Sequence, residues 1–337
     1  VSEGFPTRRG VWAALLVALP VALLVATAAG SVSLPFGGVL GSLVGRPDAL
    51  DPTSEVILRT VRLPRVLLAA LVGGGLAVVG AVLQSVFRNP MADVGLLGIS
   101  PGAALGAVVA ATLGWAHSTF LALPLTAFAG AMTAMLVIYL LAHAGGRPTL
   151  HGLLLTGIAV SALASAGTSA LLVATEEFRV RTVLFWLAGG LEGRGWEHVR
   201  IAAFFVLTGC ALLLLLARPL DVLALGDEEA ASLSLPVHRA RMAFFLLASL
   251  VAGPATALAG SVPFVGLVAP HALRPVVGPV ARRLLPASFL AGAVLVVVAD
   301  VLSRTVSDRL DLPLGSVTAF VGAPYFLLAL RAQEGRS

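Results

Sequence analysis

Lysine is missing from this chain; all 22 basic residues are arginine. A P-loop sets a lysine on its nucleotide phosphates, and a Schiff base forms on a lysine amine, so both chemistries are closed to this polypeptide. If ATP drives it, a second polypeptide supplies the hydrolysis. Cysteine occurs once, as Cys210 inside an apolar run, which excludes a disulfide framework and a thiolate metal site. Charge is scarce as well: 12% of residues are charged, about half the share of a soluble domain. The net charge of +5 over 337 residues does not suggest nucleic acid. His-Glu-x-x-His does not occur, and an intramembrane protease, which needs a zinc pair or an activated serine, is not expected.

Apolar sequence fills the chain instead. It is 58% hydrophobic with a mean hydropathy of +0.99. Runs of about 20 apolar residues recur from end to end, each long enough for a hydrocarbon core ~30 Å thick. This is the pattern of an all-α polytopic membrane protein; a barrel would show short alternating segments.

Ten spans are expected, at 11–29, 63–87, 94–115, 120–142, 153–174, 201–217, 242–259, 262–277, 284–302 and 314–330. The eighth is short and interrupted by Pro263, Pro270 and Pro275. Ala26-Thr27-Ala28 resembles a signal-peptidase site, but the run before it exceeds an ordinary signal core, so a retained first span with Arg8 and Arg9 inside is the expectation. Residues 31–60, with Pro35, Pro47 and Pro52, read as an external loop. Counting arginines near span ends gives eleven inside against ten outside, a thin margin for this orientation.

One polar island stands out, at 219–237. Gly226 opens a run of three acids, Asp227, Glu228 and Glu229, suited to a helix N-terminus, and Pro236 closes it. It reads either as a solvated loop helix or as a docking element for a soluble partner. Gly98, Gly102 and Gly106 recur on one face, and Gly73, Gly74, Gly75 and Gly80 crowd the second span, where small residues let backbones approach. The stretch from Val94 to Ala103 is echoed by Val265 to Ala272, a hint of internal duplication.

Three groups of motifs carry a family resemblance. The first is Arg62-Leu63-Pro64-Arg65, then Gln84, Arg88-Asn89-Pro90-Met91-Ala92-Asp93 and Gly98-Ile99-Ser100-Pro101-Gly102-Ala103. The second runs from Leu225-Gly226-Asp227-Glu228-Glu229-Ala230-Ala231 to Pro236-Val237. The third is Gly260-Ser261-Val262-Pro263-Phe264-Val265-Gly266-Leu267-Val268-Ala269-Pro270-His271, with Arg274, Arg282-Arg283, Asp300, Leu312-Pro313-Leu314-Gly315 and Gly322-Ala323-Pro324-Tyr325. Over residues 62–330, in order, the set resembles the FecCD family, permease subunits of type II ABC importers for iron-siderophores, haem and vitamin B12. Pro279-Val280-Ala281-Arg282 departs from the family's usual Asp-His-Arg.

The resemblance implies a single permease domain over 1–337 in a bacterial cytoplasmic membrane. It also implies a second permease copy or paralogue, two ATPase subunits holding ATP and Mg, an external substrate-binding protein, and no cofactor or metal in this chain. Residues 219–237 would be coupling helices, with Leu225, Gly226, Asp227, Glu228, Glu229, Ala230 and Leu233 against the ATPase. Arg62, Arg65 and Arg304 would dock the binding protein; snorkelling at a span end, or pairing of Arg304 with Asp300 four residues earlier, are the plain alternatives. Asn89, Met91, Leu150 and His151 would form the cytoplasmic gate, and Trp186, Gly189 and Gly190 a re-entrant segment. The cargo expected is an iron chelate, siderophore or haem, with cobalamin as the alternative. An ion-coupled transporter is the rival, but Asp300 is the only acid within a span, with Arg304 nearby to neutralise it.

Overall fold

The computed structural model describes residues 8–30, 33–46, 48–115, 121–144, 150–306 and 312–334. Among them there are helices and turns and no strands. In chain order the helices are α1 (Arg8–Ala28), α2 (Phe36–Leu43), α3 (Pro52–Val56), α4 (Leu63–Val86), α5 (Ile99–Thr112), α6 (Ala122–Ala144), α7 (Leu150–Ala174), α8 (Glu177–Leu187), α9 (Trp196–Leu215), α10 (Ala217–Leu225), α11 (Asp227–Ser232), α12 (Val237–Ala259), α13 (Val265–Val277), α14 (Ala281–Thr305) and α15 (Leu314–Glu334). Among the described residues seven segments are long and apolar enough to cross a membrane, and three shorter apolar helices, α5, α13 and the first part of α15, fall on the other three expected spans.

Helix α4 is the axis of the molecule. From Val72 to Val86 every residue is buried, although the segment has no polar face to hide, because neighbours surround it. Lipid is as apolar as leucine, so close backbone packing must supply the attraction. Glycine provides it. A Cβ at Gly80 would fall 1.8 Å from the Gly266 carbonyl oxygen of α13, and one at Gly73 would fall 2.2 Å from that of Gly292 on α14. The second glycine ladder works the same way: Gly102 and Gly106 on α5 lie against Gly130 and Thr126 on α6.

Helix α13 has only 13 residues, about 20 Å of rise, too little to cross. Pro270 inside it has no N–H for the Gly266 carbonyl one turn earlier. Gln84 of α4 replaces that donor: its Nε2 reaches the Gly266 and Leu267 oxygens at 3.2 and 3.4 Å, while Arg274 Nη2 donates to Gln84 Oε1 at 3.3 Å. Residues 260–264 lead into α13 unwound. They meet two other breaks, the turn after α8 and the start of α15. Gly190 N–H donates to Ala259, Leu314 N–H to Gly189, and Gly315 N–H to Ala188, so the irregular backbone is satisfied within the protein.

The described part of residues 31–60 is not the loop that Pro35 and Pro52 suggested, while Pro47 lies outside the described residues. Pro35 precedes α2 and Pro52 is the first residue of α3, the position where proline suits a helix. Asp51 caps α3 by accepting the Ser54 N–H at 3.0 Å, and Leu34, Val39 and Leu58 pack with Ala28 into a small apolar cluster. A π-helical stretch, Ile57–Arg62, then joins α3 to α4, so the helix runs unbroken over Pro52–Val86. Arg62 and Arg65 therefore lie within a helix, not at its outer mouth.

Candidate functional site

The acidic island folds as α10 and α11, which leave the membrane body after α9 and return through Pro236 into α12. Gly226 between them has φ +139°, a conformation closed to side chains, and the Glu229 carboxylate and Arg88 guanidinium crowd the place a Cβ would take. The three acids occupy the first turn of α11, where the dipole favours them. Its end is sealed by Ser234 in the left-handed region, with Ser234 N–H on Ala231 and Leu235 N–H on Ala230.

Within this pair, buried anchors and exposed groups separate cleanly. Leu220, Leu223 and Ala230 face inward and are fully buried, whereas Leu225 and Leu233 are 59% and 60% exposed. Asp227 is spoken for: both its oxygens accept from Arg241 Nη2 of α12, at 2.7 and 2.9 Å. Glu228 and Glu229 are exposed. The result is an acidic, leucine-edged ridge held rigidly to the transmembrane body. Sequence reading missed Arg241, which is buried inside an apolar helix, and Asp221, whose carboxylate accepts the Ala281 N–H at 2.8 Å. Neither has a spacing signal; both partners are remote in sequence.

Of the four gate positions, Asn89 and Met91 share one turn after α4, where Asn89 Oδ1 accepts the Met91 N–H at 2.9 Å and Met91 is exposed. Leu150 and His151 begin α7, but their side chains lie outside the described residues.

On the opposite face, Arg62, Arg65 and Arg304 converge. Asp300 of α14 is fully buried and bound by Arg65 Nε at 2.8 Å and Arg304 Nε at 3.1 Å. Arg304 Nη1 and Nη2 also donate to the Ala29 and Ala26 carbonyls at 2.9 and 3.0 Å. Arg62 Nη1 reaches the carbonyls of Thr27, Ala28 and Ala29. Cations thus close the C-terminus of α1, where backbone carbonyls lack partners and the dipole is negative. Of the plain alternatives, the pairing of Arg304 with Asp300 is present, whereas snorkelling is not, since the guanidinium groups bond oxygens inside the protein instead of reaching out to water. Arg59 and Arg200 are more open, with side chains 59% and 74% exposed.

Trp186 is buried at the end of α8, its Nε1 donating to Ala257 at 3.3 Å, and Gly189 and Gly190 follow it into the three-way junction. An apolar groove of about 500 Å³ opens between α5, α6 and α7, with Thr126 and Thr133 contributing hydroxyls to its lining. The string Gly98-Ile99-Ser100-Pro101-Gly102 has the spacing of a serine nucleophile elbow. That elbow needs a strand-to-helix turn; here a 3-10 turn, Val94–Leu97, leads into α5, and no strand is present among the described residues.

Comparison with known proteins is consistent along the chain. The pattern of the FecCD transport family matches residues 16–332. The chain is 44% identical over 285 residues to the cobalamin import permease BtuC of Halobacterium salinarum, covering 85% of this chain and 76% of that one. It is 39% identical over 327 residues to the hemin transport permease HmuU of Yersinia pestis, covering 96% and 97%. A solved structure described as an inward-facing conformation of a metal-chelate type ABC transporter superimposes with a TM-score of 0.85 at 29% identity, over 96% of this chain and 98% of that one.

Proposed function

The chain belongs to the FecCD transport family, and from that premise we propose that it is the permease subunit of an ATP-driven importer. It is a multi-pass protein of the cytoplasmic membrane, and it passes an iron chelate, siderophore or haem, from an external binding protein to the cytoplasm. The observation that carries the reading is the ridge at 219–237. An acidic helix pair with exposed leucines, anchored by Arg241 and by α14, is a rigid surface for a soluble subunit and has no other evident use.

In this reading Leu225, Glu228, Glu229 and Leu233 face a pair of ATPase subunits, which hold ATP and Mg, and the buried Gly226 makes the turn that presents them. Asp227 and Ala230 act from beneath, one pairing Arg241 and the other packing inward. Two permease copies would enclose the path, with Asn89, Met91, Leu150 and His151 at its inner end. Arg62, Arg65 and Arg304 serve docking by fixing the outer ends of α1, α4 and α14, on which a binding protein would rest. Cobalamin is the second reading for the cargo, favoured by the likeness to the Halobacterium permease.

The test is reconstitution in liposomes with its ATPase and binding protein, and uptake of ferric citrate, haem and cyanocobalamin in parallel. ATP-dependent entry of an iron chelate supports the proposal. Entry of cobalamin alone shifts the cargo, and uptake driven by an ion gradient without ATP overturns the reading. The permease by itself should hydrolyse no ATP, having no lysine for a P-loop; phosphate release by the purified chain would contradict this.

A further inference from the structure

Helix α14 starts badly by its own sequence. The residue before it, Val280, is extended (φ −65°, ψ 122°) and offers no side-chain cap. Its first turn carries Arg282 and Arg283, both exposed, at the end where the helix dipole is already positive. The first N–H groups of such a helix have no intrahelical partners. Asp221 supplies what is missing, from 60 residues away in sequence: its Oδ1 accepts the Ala281 N–H at 2.8 Å.

Asp221 stands on α10, the first helix of the ridge. Leu220 and Leu223 on either side of it are fully buried, so α10 is keyed into the body while Leu225 and α11 reach outward. At the far end of α14, about 29 Å along the axis by its rise, Asp300 is gripped by Arg65 and Arg304. Between the two anchors α14 lies against α4 with Gly292 on Gly73, too close for either helix to shift alone. One helix therefore has a polar fastening to the ridge at one end and to the outer arginine cluster at the other.

We propose that Asp221 is a positioning residue for energy coupling: by capping α14 across the fold, it makes α10 and α14 move together when the ATPase displaces the ridge. The inference rests on the reading of 219–237 as the coupling element. Its chemical signature is that of a cap. An acceptor oxygen is needed and a charge is not, so Asn can take the place of Asp and Ala cannot.

The experiment uses the whole complex in proteoliposomes, with whichever of ferric citrate, haem or cyanocobalamin the wild type moves. ATP hydrolysed per cargo molecule is the primary readout, with backbone amide exchange at Ala281 and thermal unfolding beside it. Asp221→Ala should assemble, expose the Ala281 amide to exchange, and raise the ATP-to-cargo ratio by about fivefold, the equivalent of one lost N-cap. Asp221→Asn should restore both. A wild-type ratio in Asp221→Ala overturns the inference, as does an Asn variant as uncoupled as Ala, which would make charge the agent. Parallel loss of hydrolysis and uptake with a lowered unfolding temperature and an unchanged ratio also overturns it, since that is a structural role alone. A wild-type complex that moves no cargo with ATP removes the importer reading itself, whereas a working wild type with an indifferent Asp221→Ala removes only this inference.

Discussion

At the scale of single residues, the acids of the ridge are not equivalent. Asp227 neutralises Arg241, whose side chain is 4% exposed, while Glu228 points to solvent. Asp227→Ala strands a buried guanidinium and should lower stability by about 1–3 kcal/mol, less than for a fully buried pair because Asp227 is half exposed. Glu228→Ala should leave unfolding unchanged and weaken ATPase association alone. Thermal unfolding of the two variants, set against copurification of the ATPase, separates them; equal unfolding temperatures would contradict the assignment. Asp93, in the turn between α4 and α5, makes a different case. Burial raises its carboxyl above the ordinary value, more than the Val94 N–H lowers it. With the folded pKa above the unfolded ~3.9, the ionised group costs stability at neutral pH, and that cost vanishes once acid protonates both states. Asp93→Asn should therefore unfold at a higher temperature than wild type at pH 7 and converge with it below about pH 4. A gap that widens in acid would reverse the sign.

At the scale of elements, hydropathy made the spans legible, because a bilayer sets helix length and penalises polar backbone whatever the tertiary contacts. It could not read residues 31–60, where α2 and α3 are too short for any span signal and their prolines, which suggested a loop, in fact start helices. The echo between Val94–Ala103 and Val265–Ala272 also failed to repeat in structure. The left-handed Gly98 breaks the first copy into a 3-10 turn and a helix, whereas in the second the left-handed residue is Phe264, ahead of an unbroken α13. The glycine ladders were legible as packing faces, but which partner each meets was not, since that depends on helices far away in sequence. Gly80→Ala must drive α4 from the Gly266 backbone, and should destabilise by about 1–3 kcal/mol. Gly95→Ala, with nothing within 4 Å of the new methyl, serves as the control. Detergent unfolding of both variants decides it; equal effects would mean that the α4–α13 approach tolerates a methyl.

For the whole molecule, the outer charge cluster joins parts that are remote in the chain: the end of the first span, the middle of the long Pro52–Val86 helix and the end of α14. The arginines were legible as a motif. Their convergence around the end of α1 and the buried Asp300 was not, because it is made by three helices meeting. Asp300→Ala removes the ion-pair partner of Arg65 and Arg304 from a buried site. The cost should be about 3–5 kcal/mol, read as a fall in unfolding temperature and as freed mobility of α1. An Asp300→Ala protein as stable as wild type would show that the α1 carbonyls alone hold the arginines.

The junction of α8, the unwound 260–264 and α15 has a consequence for how the molecule can change shape. A Cβ at Gly189 would lie 2.2 Å from the Ser261 oxygen, one at Gly260 2.0 Å from the Trp186 oxygen, and one at Gly315 2.3 Å from the Ser261 oxygen. Three chain segments are thus stacked backbone on backbone, with no side-chain cushion that could compress or rotate to absorb a displacement. Such a joint has no soft degree of freedom. The tip of α8, the entry to α13 and the head of α15 are therefore expected to tilt as one body, like the legs of a tripod under a common pin, so that a change of shape at this end is borne by rotation about this point instead of by loops that stretch.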